Sequence, residues 1–209
     1  MLPEGQEIVP ESLGPLTFES SHLIYRGVEK EDLDFFYKVS QDTIAVYALN
    51  PNLPLPNSRK SSEDLMAFIK EHALLEAIIC LRPDSAVSDK KPSEPVPIGH
   101  IMLAKSTPTM AHHRHGEIGI GMLPEYRDKG YGAEAIKWIL EWGFRMANMH
   151  RIFLTCHGWN EGAAKLYRKL GFQHEGTKRE HLWFNGRWYD ALEFSMLEHE
   201  WRDLQKKAS

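Results

Sequence analysis

The chain has 209 residues, 42% of them hydrophobic and 26% charged, with a formal net charge of −4 and a pI near 6.3. That length suits one large domain, or at most two tight ones, with a core that needs no disulfide or metal. A weakly acidic balance argues against a nucleic-acid binder, which carries a basic excess, and is compatible with cationic small molecules.

Cys80 and Cys156 form no CxxC pair and sit in apolar runs, so they read as small buried hydrophobes in a reducing compartment. No apolar run reaches membrane-spanning length, and the start Met1-Leu2-Pro3-Glu4 lacks the basic-then-apolar pattern of a secretory signal. A cytoplasmic protein with no membrane or nucleic-acid partner is expected.

Residues 1–21, with Pro3, Gly5, Pro10, Gly14 and Pro15, read as an extended arm. A short strand over 22–26 is followed by a helix from about Glu29 to Ser40, with Leu33, Phe36 and Tyr37 on one stripe. Three prolines at 51, 54 and 56 exclude regular structure there. Ser61 or Ser62 is the expected N-cap of the next helix, whose stripe is Leu65, Phe68, Ile69 and His72. Strands are predicted over 77–81, 98–104 and 117–122, with a polar, proline-rich loop at 82–97.

A long helix is predicted from about Lys129 to Met149, with Ile136, Ile139, Leu140, Gly143 and Ala147 facing the core. A strand over 152–156 and a helix over 160–170, closed by Gly171, come next. Two final strands are joined by Asn185-Gly186, the strongest short hairpin signal, and Leu197–Leu204 reads as a short terminal helix. The order β-α-α-β-β-β-α-β-α-β-β implies one mixed α/β sheet with helices on both faces.

Chemistry concentrates in Glu117-Ile118-Gly119-Ile120-Gly121-Met122-Leu123, followed by Arg127-Asp128-Lys129-Gly130-Tyr131-Gly132. A strand feeds a basic, glycine-bearing turn, and the turn feeds a helix. The first N–H groups of a helix lack internal acceptors and can cradle phosphate oxygens. Glu117, Gly119 and Gly121 share one face of the strand. Glycine inside a strand marks either close approach by a ligand or tight packing, and both readings stand.

Arg127-Asp128-Lys129-Gly130-Tyr131-Gly132 resembles the Arg/Gln-x-x-Gly-x-Gly/Ala pyrophosphate loop of the GCN5-related N-acetyltransferase superfamily. Pro97-Ile98-Gly99-His100-Ile101 is similar to that family's third strand. Asn160-Glu161-Gly162-Ala163-Ala164-Lys165-Leu166-Tyr167-Arg168-Lys169-Leu170-Gly171-Phe172 is similar to its late helix. Asn185-Gly186-Arg187-Trp188-Tyr189-Asp190 resembles the ribosomal-protein and spermidine acetyltransferase branch.

The resemblance implies an α/β (α+β) fold: a single acetyltransferase domain over 22–198, with splayed strands 4 and 5, between the arm at 1–21 and a tail at 199–209. It implies acetyl-CoA as co-substrate and no metal. Pantetheine would pair with the strand ending Met122-Leu123, and pyrophosphate would sit on 127–132, including Asp128, Lys129 and Tyr131. Asn160 would contact the cofactor, although a helix N-cap is its ordinary role. Glu117 matches the family's acidic position and is the candidate general base. Tyr167 is the candidate acid for the leaving thiolate, and its ring also suits packing against Phe172. A backbone N–H near Met122 is the expected oxyanion donor.

His112, His113 and His115 lie in one turn without an acidic or Cys partner, so a solvated loop is expected rather than a metal site. The expected acceptor is a small-molecule primary amine, because the proline-rich 42–62 segment reads as a partly rigid lid. A peptide N-terminus or lysine is the alternative acceptor, and a non-catalytic acyl-CoA-binding module the alternative of another class. A dinucleotide-binding domain fits poorly, since the full GxGxxG spacing is missing. The 181–189 hairpin, with Trp183, Phe184 and Trp188, is a candidate homodimer surface.

Overall fold

The computed structural model describes residues 16–42, 53, 55–85 and 94–208. Most of the expected arm, most of the proline-rich 42–62 lid and the middle of the 82–97 loop lie outside the described residues.

The elements are β1 (Leu23–Arg26), α1 (Leu33–Ser40), α2 (Arg59–His72), β2 (Ala73–Leu81), β3 (Val96–Ala104), β4 (His115–Met122), α3 (Tyr131–Arg145), β5 (Arg151–His157), α4 (Glu161–Lys169), β6 (Gln173–Phe184), β7 (Arg187–Leu197) and α5 (Glu198–Ala208). Seven strands form one sheet in the order β1-β2-β3-β4-β5-β7-β6. Every neighbouring pair is antiparallel except β4 and β5. The mixed sheet and the element order are those expected.

Alternation along the strands sends side chains to two layers. On one face Ile79, Ile101, Ile118, Ile152, Leu154 and Phe194 pack with Ile136, Ile139 and Leu140 of α3 and Tyr167 of α4. On the other face Ile78 and Cys80 meet Phe36 of α1 and Ile69 of α2, with Met102 beside them. Both cysteines are free and buried.

Several boundaries differ from the sequence expectation for local reasons. α2 begins at Arg59 because Ser58, not Ser61 or Ser62, is its N-cap; Ser58 and Ser61 bond reciprocally in a capping box. Phe68, expected on the buried stripe, is 55% exposed and stacks on His72 instead. α3 ends at Arg145 rather than near Met149; beyond it Asn148 adopts φ 52° and turns the chain toward β5. α5 runs on to Ala208, and its Trp201 is buried against Phe144.

Two terminations follow the expected chemistry. At the end of α4, Gly171 has φ 94°; its N–H donates to Arg168 C=O (3.1 Å), and Phe172 N–H donates to Tyr167 C=O (3.1 Å). This is the Schellman pattern, and the Tyr167 and Phe172 rings lie 6.0 Å apart within it. In the β6–β7 turn both Asn185 (φ 46°) and Gly186 (φ 81°) are left-handed, as a two-residue hairpin turn of the I′ kind requires.

The start of the described chain is tied to α3. Trp138 Nε1 donates to Thr17 C=O (2.9 Å), and Tyr25 stacks on Trp138 at 3.8 Å. Glu134, in the first turn of α3, accepts from the Ser20 hydroxyl (2.6 Å) and the His22 N–H (2.7 Å). Burial alone would raise the Glu134 carboxyl, but these donors hold it below its ordinary range.

Candidate active site

The parallel pair β4–β5 is short. Its register covers only His115–Arg151, Gly116–Ile152 and Glu117–Phe153. Beyond those steps β4 stays paired to β3 as far as Met122, and β5 to β7 as far as His157, so the two strands part between them. Leu123 N–H donates to Ile98 C=O (2.9 Å) on the β3 side. By alternation, the N–H and C=O groups of Met122 and Ile120 face the gap.

A cleft of about 440 Å³ occupies this gap and the space above α3 and α4. Met122, Arg127, Asp128, Gly130, Gly132, Asn160 and Tyr167 line it together. Gly130 is the N-cap of α3 at φ 89° and offers no side-chain cap. The first helical bond runs from Glu134 N–H to Gly130 C=O, so the preceding N–H groups have no acceptor in the helix. Beyond its chain neighbours and its own helix backbone, no protein atom stands within 4 Å of where a Cβ on Gly132 would be. The helix end is therefore bare, positive and open to the cleft, which suits an anion.

Four expected site residues stand elsewhere. Leu123 is buried, its N–H is used by Ile98 and its C=O accepts from Tyr126 N–H (3.0 Å), and it is not among the residues lining the cleft. Tyr131 is also buried, with His22 beside its ring. Lys129 lies over the Tyr126 ring, with Nζ 5.5 Å from the centroid, rather than along the cleft wall. Glu117 sits below the cleft, where the strands begin to part.

Arg127 lines the cleft, but its guanidinium is not left free over the phosphate cradle. Nε and Nη2 both donate to Met122 C=O, at 3.0 and 2.9 Å, and Nη2 also reaches the Asp42 carboxylate. The charge expected from Arg127 is thus partly neutralised inside the protein.

Glu117 and Tyr167 belong to opposite faces of the sheet; Tyr167 lines the cleft, and Glu117 stands at the last paired step of β4 and β5, below it. Glu117 accepts from the Thr155 hydroxyl (3.4 Å). Its carboxyl stays open to solvent, yet crowding by surrounding protein raises it above the ordinary carboxylate value. Thr155 and Lys178 pull it back, and Glu193 pushes it up further. Lys178 in turn pairs with Glu193 at 2.6 Å. A Cβ on Gly119, on this same face, would stand 3.1 Å from Met102 Cγ, so packing against β3 accounts for that glycine.

Tyr167 is 9% exposed, with its ring against Phe172 and Phe194. Its hydroxyl has no hydrogen-bond partner among the described residues. Burial, with the neighbouring Cys156, raises its pKa well above that of a free phenol, so it is a neutral proton donor at pH 7. Asn160 is an N-cap, as its local sequence suggested: Oδ1 accepts from Ala163 N–H (3.1 Å), while the residue also lines the cleft.

Trp159 escaped the sequence reading. It lines the cleft and stacks on Phe184 at 4.7 Å, edge-on to Tyr189 at 5.1 Å, joining the β6–β7 hairpin to the cofactor side. Its signal was a bulky aromatic between a strand end and a capping Asn. In the 112–115 turn the His113 ring lies 3.9 Å from that of His112, tilted by 44°, and stacks on His115 at 5.7 Å. Among the described residues, no group of three His, Cys, Asp or Glu is arranged to hold a metal.

Residues 22–173 match the family model for the acetyltransferase (GNAT) domain. The chain belongs to the GCN5-related N-acetyltransferase family. This GNAT protein is 30% identical over 186 residues to the uncharacterized N-acetyltransferase YnaD of Bacillus subtilis, covering 87% of this chain and 97% of that one. It is 34% identical over 89 residues to the spermidine N(1)-acetyltransferase of Escherichia coli K12, a match that spans 43% of this chain and 48% of the relative. Its fold superposes on the Vibrio cholerae spermidine N-acetyltransferase, solved with CoA and spermine, with a TM-score of 0.70 and 25% identity over 87% of this chain and 99% of that one.

The chain is therefore an acetyl-CoA-dependent N-acetyltransferase. Its residues fit that co-substrate. The bare α3 terminus with Gly130 and Gly132 suits a pyrophosphate, and the open β4 edge at Ile120 and Met122 suits an amide-bearing arm.

Proposed function

We propose that this GNAT enzyme acetylates the primary amine of a small cationic molecule by direct attack on the acetyl-CoA thioester. The observation that carries the reading is the parting of β4 and β5 just beyond Glu117 and Phe153. It opens a cleft lined by Tyr167, with Glu117 at the last paired step before the opening on the other face of the sheet.

Acetyl-CoA supplies an activated acyl carbon and a thiolate leaving group. The chain's residues supply the rest. An alkyl ammonium has a pKa near 10, so it must lose a proton before it attacks. Glu117, with its raised pKa, takes that proton directly or through a water. Met122 N–H, aimed into the gap, donates to the oxygen that gains charge. Tyr167, neutral and buried, gives its proton to the departing sulfur and regains one as the acetylated nitrogen sheds its second proton. Glu117 lies on the sheet face away from the cofactor helix, and its carboxylate favours a cationic acceptor. The polyamine-acetylating relatives support the same class.

The test is a free-thiol assay with acetyl-CoA against polyamines, amino acids, aryl amines, amino sugars and short peptides. Amine-dependent thiol release with a cationic small amine supports the reading. Release only with peptides overturns it.

A further inference from the structure

Asp42 lies two residues beyond the end of α1, on the sheet face opposite the cofactor helix. Its carboxylate nonetheless reaches Arg127, whose fork holds the Met122 carbonyl with two N–H groups. A second tie runs alongside: Lys38 Nζ on α1 meets Glu125 Oε1 at 2.6 Å, in the turn that leads from β4 to Arg127. The helix on the acceptor side is thereby fastened to the end of β4.

The consequence falls on Met122. Its N–H and C=O face the gap, where no strand pairs with them; β3 holds this end of β4 only from the far side, through Leu123 N–H on Ile98 C=O. A guanidinium is a rigid planar fork, and a carboxylate behind it removes its remaining freedom. The carbonyl is then pinned, and with it the backbone torsions that aim the Met122 N–H.

We propose that Asp42 is a positioning residue, holding the Arg127 fork on the Met122 carbonyl so that the Met122 N–H stays aimed into the gap between β4 and β5. The proposal rests on the reading that this N–H stabilises the developing oxyanion.

The test uses the full chain and the substitutions Asp42→Ala, Asp42→Asn and Arg127→Lys. With ¹⁵N-methionine labelling, the Met122 amide resonance is assigned by its loss in Met122→Leu. It shifts in Asp42→Ala and Arg127→Lys, and shifts less in Asp42→Asn, whose amide oxygen still accepts. In the thiol assay, Asp42→Ala lowers kcat about tenfold, short of the roughly 10²–10³ lost on deleting an oxyanion donor outright. Its CoA affinity by calorimetry stays within about twofold, and Asp42→Asn recovers most of the rate. An unmoved Met122 amide overturns the proposal, as does a rate loss that merely follows CoA affinity or thermal stability. If Asp42→Ala does not fold, Asp42→Asn and Arg127→Lys carry the same comparison. The amide shift reads the tie even if no amine in the panel is acetylated, which separates failure of this proposal from failure of the assigned reaction.

Discussion

Glu117 stands opposite Phe153 in the last paired step between β4 and β5. One residue further the strands part, so the carboxylate is held firmly at its root while it faces an opening. That is the geometry a general base needs. Glu117→Gln keeps the shape and removes the proton acceptor. It lowers kcat/KM by about 10²–10⁴ and abolishes the acidic limb of the pH–rate profile, which in the wild type lies above the ordinary Glu value because crowding raises this carboxyl. CoA affinity measured by calorimetry stays unchanged.

In the proposed reaction Tyr167 separates into a ring that packs and a hydroxyl that gives up a proton. Tyr167→Phe retains the contacts with Phe172 and Phe194 and loses only the proton donor. Its melting temperature stays close to wild type while kcat falls by about 10²-fold or more. Tyr167→Ala loses both, and denaturant unfolding should show a cost of about 3–5 kcal/mol, as for other large buried aromatics.

Gly132 offers a cleaner test of the phosphate cradle. A Cβ there stands more than 4 Å from every protein atom beyond its chain neighbours and its own helix backbone, so Gly132→Leu is expected to fold. It would occupy cleft space at the α3 terminus, where the proposed phosphate cradle lies. CoA affinity falls at least about tenfold, or 1.4 kcal/mol, with little change in melting temperature.

How far the sequence carried the account follows from the range of each signal. The Schellman end at Gly171–Phe172 and the turn at Asn185-Gly186 are local chemistry, and the residues themselves disclosed them. The glycine pair at the start of α3 was equally local. The Arg127 contact was not. Asp42 is 85 residues away in the chain, and nothing in the loop sequence shows that its positive charge is met from across the sheet. Leu123 was misplaced by its strand register, because one residue of alternation turns a backbone N–H from the gap to β3. The α2 start was read three to four residues late, since acids at 63 and 64 suggested a first turn that the Ser58–Ser61 capping box had already begun.

His100 gives a stability prediction independent of catalysis. It is fully enclosed beside Phe36, and burial lowers its pKa from 6.5 to about 4. Between those values the unfolded chain binds a proton at this residue and the folded one does not. Stability therefore falls as pH drops from 6.5 to about 4, by roughly 3 kcal/mol at most from this residue. His100→Gln should flatten that part of the profile in chemical denaturation. An unchanged slope would place the acid sensitivity elsewhere.

The thiol-release assay, run on wild type and Glu117→Gln side by side with a cationic small amine, tests the central claim most directly. The account predicts amine-dependent turnover in the wild type, a loss of about 10²–10⁴ in the variant, and equal CoA binding by both. Equal turnover by the two proteins would contradict it.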